Sequence, residues 1–68
     1  MDKICEQYIE LGYLFESKRL TNQSLSAEDR KKALETYQEA IKLGLSQSCI
    51  NSCIVEGEHR AREDRSNG

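Results

Sequence analysis

A stripe of apolar side chains at Ile4, Tyr8, Leu11 and Phe15, with Leu14 beside it, advances along the chain in steps of four, three and four. That spacing keeps one face of a helix apolar and predicts an amphipathic helix from about Lys3 to Lys18, capped by Asp2. The following "LTNQSLS" is rich in side chains that compete for local backbone hydrogen bonds, and it reads as a loop. Ser26 with Asp29 three residues on predicts a capping box, and Glu28 and Asp29 put negative charge in a positive first turn. A second helix over about 27–43 follows, with Ala33, Leu34, Tyr37, Ala40 and Ile41 as its narrow apolar stripe and Gly44 as its stop. Ser46 then caps a weaker third helix over about 47–57, whose apolar positions are Cys49, Ile50, Cys53, Ile54 and Val55. Residues 58–68, "EHRAREDRSNG", hold no apolar side chain besides Ala61, so a frayed, charged tail is expected there. The predicted fold is all-α: a helical hairpin with a short third helix packed on it, one domain over 1–57, and a disordered C-terminal tail.

Gly12 interrupts the first stripe. A glycine costs ~1 kcal/mol against alanine inside a helix, so its presence calls for a compensating contact. The expected compensation is a close approach of the second helix, with Ala33 and Ala40 facing Gly12, where added dispersion contacts offset the loss.

Together, "LGYLFESKRL" and "KALETYQEAIKLGL" resemble one unit of the tetratricopeptide repeat, and more particularly of its Sel-one-like relatives. Tyr8, Leu11, Gly12 and Phe15 fit the first helix of such a unit. Ala33, Tyr37, Ala40 and Gly44 fit the second. The resemblance covers about residues 5–45; it lacks the proline that often follows the second helix, and its inter-helix loop is long. It implies a helical hairpin that buries apolar faces against neighbours, and one complete unit leaves part of that surface for another chain. Ile9 and Tyr13 lie off the main stripe and form a second apolar strip, which reads either as a partner surface or as the seat of the third helix. Ile9, Tyr13, Leu14, Leu20 and Tyr37 are the candidate protein-binding residues.

Composition narrows the classes. The chain has 68 residues, 37% hydrophobic and 32% charged, which suits a soluble domain with a thin core. A domain this small buries roughly 60% of its unfolded surface, so its stability is marginal or completed by a partner, and an enclosed catalytic cavity has little room. Twelve acidic and ten basic residues are interspersed, which disfavours nucleic acid and anionic membranes. Charges interrupt the N-terminal segment and no apolar run approaches the ~20 residues of a membrane span, so the cytoplasm is the expected compartment.

Three cysteines, Cys5, Cys49 and Cys53, are an odd number and are expected as free thiols serving mainly as core side chains. With His59 they also raise a metal- or redox-responsive alternative, although the spacing fits no zinc pattern. His59 sits among charges with no nucleophile nearby. The carboxylate pairs Glu6–Glu10 and Glu35–Glu39 read as solvated faces, and the arginines Arg30, Arg60, Arg62 and Arg65 are interleaved with acids. No cofactor, metal or catalytic set is expected. The leading functional expectation is a non-enzymatic protein-interaction module that binds a larger protein or itself; a small nucleic-acid-binding regulator is the remaining alternative.

Overall fold

The computed structural model describes residues 3–67, so the expected Asp2 cap lies outside the described residues. Three helices follow one another: α1 (Lys3–Leu20), α2 (Ala27–Leu43) and α3 (Gln47–Asn67).

Each helix boundary has a local chemical cause. α1 runs two residues past its expected end and is closed by Asn22, whose φ of 57° is the left-handed conformation asparagine tolerates. In that conformation the Gln23 amide donates to the Lys18 carbonyl at 2.8 Å and the Asn22 amide to Arg19 at 3.1 Å, satisfying two orphan carbonyls. Ser26 and Asp29 form the expected capping box, the Asp29 amide donating to Ser26 Oγ and the Ser26 amide to Asp29 Oδ2, both at 3.1 Å. Gly44, at φ 68°, ψ 32°, ends α2 in the left-handed region. Ser46 caps α3 by accepting from the Cys49 amide at 3.2 Å.

α1 is the middle helix. It carries Ile4, Tyr8, Leu11 and Gly12 in the core, with Ile9 buried beside them. α2 returns antiparallel along one side, as the pairs Lys18–Asp29 (3.8 Å) and Glu10–Lys32 (3.5 Å) show, and turns Ala33, Thr36 and Ala40 inward. α3 lies along the other side and runs parallel to α1. The links Cys5–Cys53 and Glu16–Arg62 advance in the same direction along both helices, and Tyr13 joins Asp64 close to the second of them; the separations are 48, 46 and 51 residues.

Three expectations need correction. Gly12 does permit a close helix approach, but toward α3 instead of α2: a Cβ built on it would overlap the Ile54 carbonyl oxygen and stand 2.9 Å from its carbon. Gly57 answers from α3, where a Cβ would overlap the Ile9 carbonyl and come within 2.7 Å of the Tyr13 amide nitrogen. Two glycines at one crossing bring the backbones together, which a single glycine facing alanines would not do.

The segment expected to fray is helical to Asn67. Ala61, at 3% exposure, is its single apolar anchor, and polar links to α1 supply what the apolar pattern lacks. Lastly, Cys5 and Cys53 are joined by a disulfide with Cα atoms 6.0 Å apart, leaving Cys49 as the free thiol. The glycine crossing accounts for this pairing, because it sets α1 and α3 at the separation a disulfide requires.

Candidate functional site

α2 and α3 both rest on α1 and diverge from each other, leaving a groove between them. Tyr8 forms its floor. Tyr37, Ala40 and Ile41 form the α2 wall, Ile50 and Ile54 the α3 wall, and Leu45 and Gln47 close the end near the α2–α3 turn. The groove holds about 350 Å³, and among the described residues no charged side chain lines it. A larger cleft of about 800 Å³ lies on the opposite side of α2, but Lys3, Lys32, Glu35 and Glu39 line it with both signs of charge. The smaller groove is therefore the one suited to burying apolar surface.

Its walls follow from how α2 is turned. Ala33, Thr36 and Ala40 face α1, so the neighbouring stripe of Leu34, Tyr37 and Ile41 points away from the core. Ile41 is 79% exposed and Leu34 56% exposed, although the sequence pattern counts both among the buried stripe. The physical reason is steric. Two adjacent stripes run along α2, and the small one is selected by the bulky Tyr8 and Leu11 that fill the space beside α1. Tyr37 sits at the border and stacks on Tyr8 with ring centroids 5.8 Å apart and planes inclined by 30°. Burial, with Tyr37 nearby, raises the Tyr8 phenol above its ordinary pKa, so the floor of the groove is neutral and protonated.

Of the five candidate binding residues, the structure brings Tyr37 alone to this groove. Ile9 is buried beneath α3 at 7% exposure, which corrects its reading as a contact residue. Tyr13 is on the far side of the α1–α3 pair, half-exposed, its hydroxyl donating to Asp64 Oδ2 at 2.5 Å; that hydrogen bond raises its pKa. Leu14 and Leu20 are half-buried and line neither groove nor cleft. The apolar residues that the pattern assigned to the core or to a weak third helix, Ile41, Ile50 and Ile54, do line it.

A second feature escaped the sequence reading. Glu16 is buried to 2% exposure and accepts from Arg19 Nε at 2.5 Å and Nη2 at 3.1 Å, and from Arg62 Nε at 2.5 Å. The Arg19 hydrogen bond, reinforced by that from Arg62, holds its carboxyl down at about 2. This triad docks the C-terminal half of α3 on α1. An acid on the face of Cys5, Ile9 and Gly12, at the position where an apolar residue would continue it, is the signal that marks it.

The residues of the metal alternative are not brought together. Cys5 and Cys53 are bonded to each other, Cys49 is exposed, and His59 Nε2 pairs with Glu63 Oε1 at 3.0 Å on the outer face of α3. No group of three or more His, Cys, Asp or Glu suited to a metal ion occurs among the described residues. Among the basic residues, Arg19 and Arg62 are committed to Glu16, Arg60 to Glu56, Lys32 to Glu10 and Lys18 to Asp29. No helix among the described residues is long and apolar enough to cross a membrane.

No family model matches the chain, and no curated protein or solved structure matches it.

Proposed function

We propose that this chain is a non-enzymatic protein-interaction module that takes an apolar helix of a larger protein into the groove between α2 and α3. The observation that carries the reading is the outward stripe Leu34–Tyr37–Ile41, which borders a groove that no charged side chain among the described residues lines. Singly exposed apolar residues are ordinary, but a helical stripe continuous with an apolar groove is the form that helix-in-groove recognition takes. The occupant follows from the geometry of the three helices. α1 has α2 as its antiparallel partner, whereas among the described residues α3 has no helix in the corresponding position. A helix laid in the groove would stand to α3 as α2 stands to α1. The same arrangement supports the kinship with a tetratricopeptide-type unit, in which α3 is a capping helix or the first helix of an incomplete second unit.

The proposal keeps the cytoplasmic placement expected from the sequence and assigns no catalytic group. The test is a photo-crosslinking amino acid replacing Ile41 in the protein expressed in its own cells, with the exposed Val55, on the outer side of α3, as the control position. A discrete adduct at position 41, absent at 55 and lost when Leu34→Glu is added, is the expected result. Labelling at 41 no stronger than at 55 overturns the docking reading, and an adduct of twice the chain's mass assigns the groove to a second copy instead.

A further inference from the structure

The Cys5–Cys53 bond joins α1 to α3 and closes a loop of 48 residues of sequence separation. Its setting makes it consequential. Among the described residues, the two large side chains that are fully buried, Tyr8 and Leu11, both belong to α1. On its inner face α3 offers the small residues Cys53, Gly57 and Ala61, while Ile50 and Ile54 are partly buried. The C-terminal half of α3 has polar fastenings to α1 through Arg62 and Asp64. Its N-terminal half is seated by the backbone contacts of Ile54 on Gly12 and of Gly57 on Ile9, and the disulfide is its covalent fastening. The bond is also reachable, because Cys5 is half-buried while Cys53 is 7% exposed.

From this we infer that Cys5–Cys53 is a redox latch: oxidised, it fixes the N-terminal half of α3 on α1; reduced, it lets that half leave. The inference does not rest on the docking reading. The exchange partner is a thiol–disulfide couple of the glutathione class. In reduction a thiolate RS⁻ attacks the accessible Cys5 sulfur, an R–S–S–Cys5 bond forms, and the Cys5–Cys53 bond breaks with Cys53 leaving as thiolate. A second RS⁻ then attacks the R-side sulfur, releasing Cys5 thiolate and RSSR. The two thiolates take up two protons, and two electrons have passed from 2 RSH to the protein. Oxidation runs the same steps backward with RSSR as the acceptor.

Removing a cross-link over a loop of this length costs the folding equilibrium roughly a thousandfold through loop-closure entropy, a large effect for so small a domain. The experiment uses the full chain carrying Cys49→Ser, so that the latch supplies the one thiol pair, in reduced and oxidised glutathione mixtures of graded ratio. Expected are a reversible transition within the range of those mixtures and a mixed glutathione disulfide trapped on Cys5. The reduced form is expected to melt well below the oxidised form, with amides of 50–57 exchanging much faster while those of α1 slow-exchange as before. A reduced protein that is wholly unfolded, with the amides of α1 exchanging as fast as those of 50–57, also overturns the latch, because the latch requires α1 to hold while that half leaves. A pair that never forms under oxidised glutathione, one that resists a large excess of reduced glutathione, or a melting point indifferent to reduction each overturns the latch. The double variant Cys5→Ser with Cys53→Ser is expected to reproduce the reduced form without any reductant.

Discussion

Gly12 and Gly57 interlock at one crossing of α1 and α3, each standing where the backbone of the other helix passes: Gly12 against Ile54, Gly57 against Ile9 and Tyr13. Alanine at either position gains ~1 kcal/mol in helix propensity, yet the obstructing atoms are backbone and have no rotamer through which to yield. The helices must separate, a kind of overpacking that costs about 1–3 kcal/mol, so Gly12→Ala and Gly57→Ala are each expected to lower the melting temperature in spite of the propensity gain. Thermal circular dichroism decides it. A rise in melting temperature for either variant would mean that the crossing is not there.

The Glu16 triad makes stability depend on acid. Its folded-state pKa, near 2, lies below the ordinary carboxylate value of 4.5, so the folded protein holds the charged form more firmly than the unfolded chain does. The contribution is complete above the ordinary value and is lost as pH falls from about 4.5 toward 2. Wild-type melting temperature is therefore expected to drop through that window. Glu16→Gln, already lower at pH 7, is expected to drop less, and helicity lost first should belong to residues beyond Gly57. Parallel acid titrations of the two proteins, followed by circular dichroism and amide exchange, provide the check; identical acid profiles would dismiss the triad.

Why the hairpin was legible and the third helix was not follows from the kinds of contact each uses. α2 is bounded by signals whose mechanism is local, the Ser26–Asp29 box and the left-handed Gly44, and such signals can be read within four residues of sequence. α3 beyond Gly57 is held by partners 46 and 51 residues away, Glu16 for Arg62 and Tyr13 for Asp64. An apolar pattern contains no trace of them. The Cys5–Cys53 bond is invisible for the same reason: Cys49 and Cys53 share a helix and draw attention to each other, while the true partner is fixed only once the glycines have set α3 beside α1. At the groove, periodicity found the apolar residues of α2 but placed too many inside, because the more hydrophobic stripe, Leu34–Tyr37–Ile41, is also the bulkier, and packing against Tyr8 and Leu11 admits the small stripe Ala33–Thr36–Ala40 instead.

The α2 caps give a prediction that does not depend on the core. Ser26→Ala removes the acceptor for the Asp29 amide, and such losses cost about 1 kcal/mol. Gly44→Ala forces a side chain into the left-handed region, where a Cβ meets no neighbour within 4 Å, so the penalty is conformational alone, about 1 kcal/mol. Each variant is expected to shift the denaturation midpoint modestly and, at sites so far apart, the double variant should show the sum within ~0.5 kcal/mol. Urea titrations of the three proteins measure this; a strongly non-additive pair would show that α2 frays as a unit before the domain unfolds.

Substitutions in the outward stripe of α2 should separate stability from surface chemistry. Ile41 is 79% exposed and Leu34 56% exposed, so replacing them with glutamate removes little buried area, and surface changes of this kind stay within about ±0.5 kcal/mol. Tyr37 differs because its ring covers Tyr8, which is 1% exposed, and Tyr37→Ala uncovers it; the lost stacking costs about 0.5–1.5 kcal/mol in addition to the area exposed. The expected order is thus Ile41→Glu and Leu34→Glu near wild type, Tyr37→Ala clearly lower. Concentration-dependent light scattering adds a second axis: the two glutamate variants should remain monomeric at concentrations where any apolar self-association of wild type sets in. Should the glutamates instead unfold the chain, Leu34 and Ile41 would be core residues, α2 would be turned the other way about its axis, and the groove beside α3 would close.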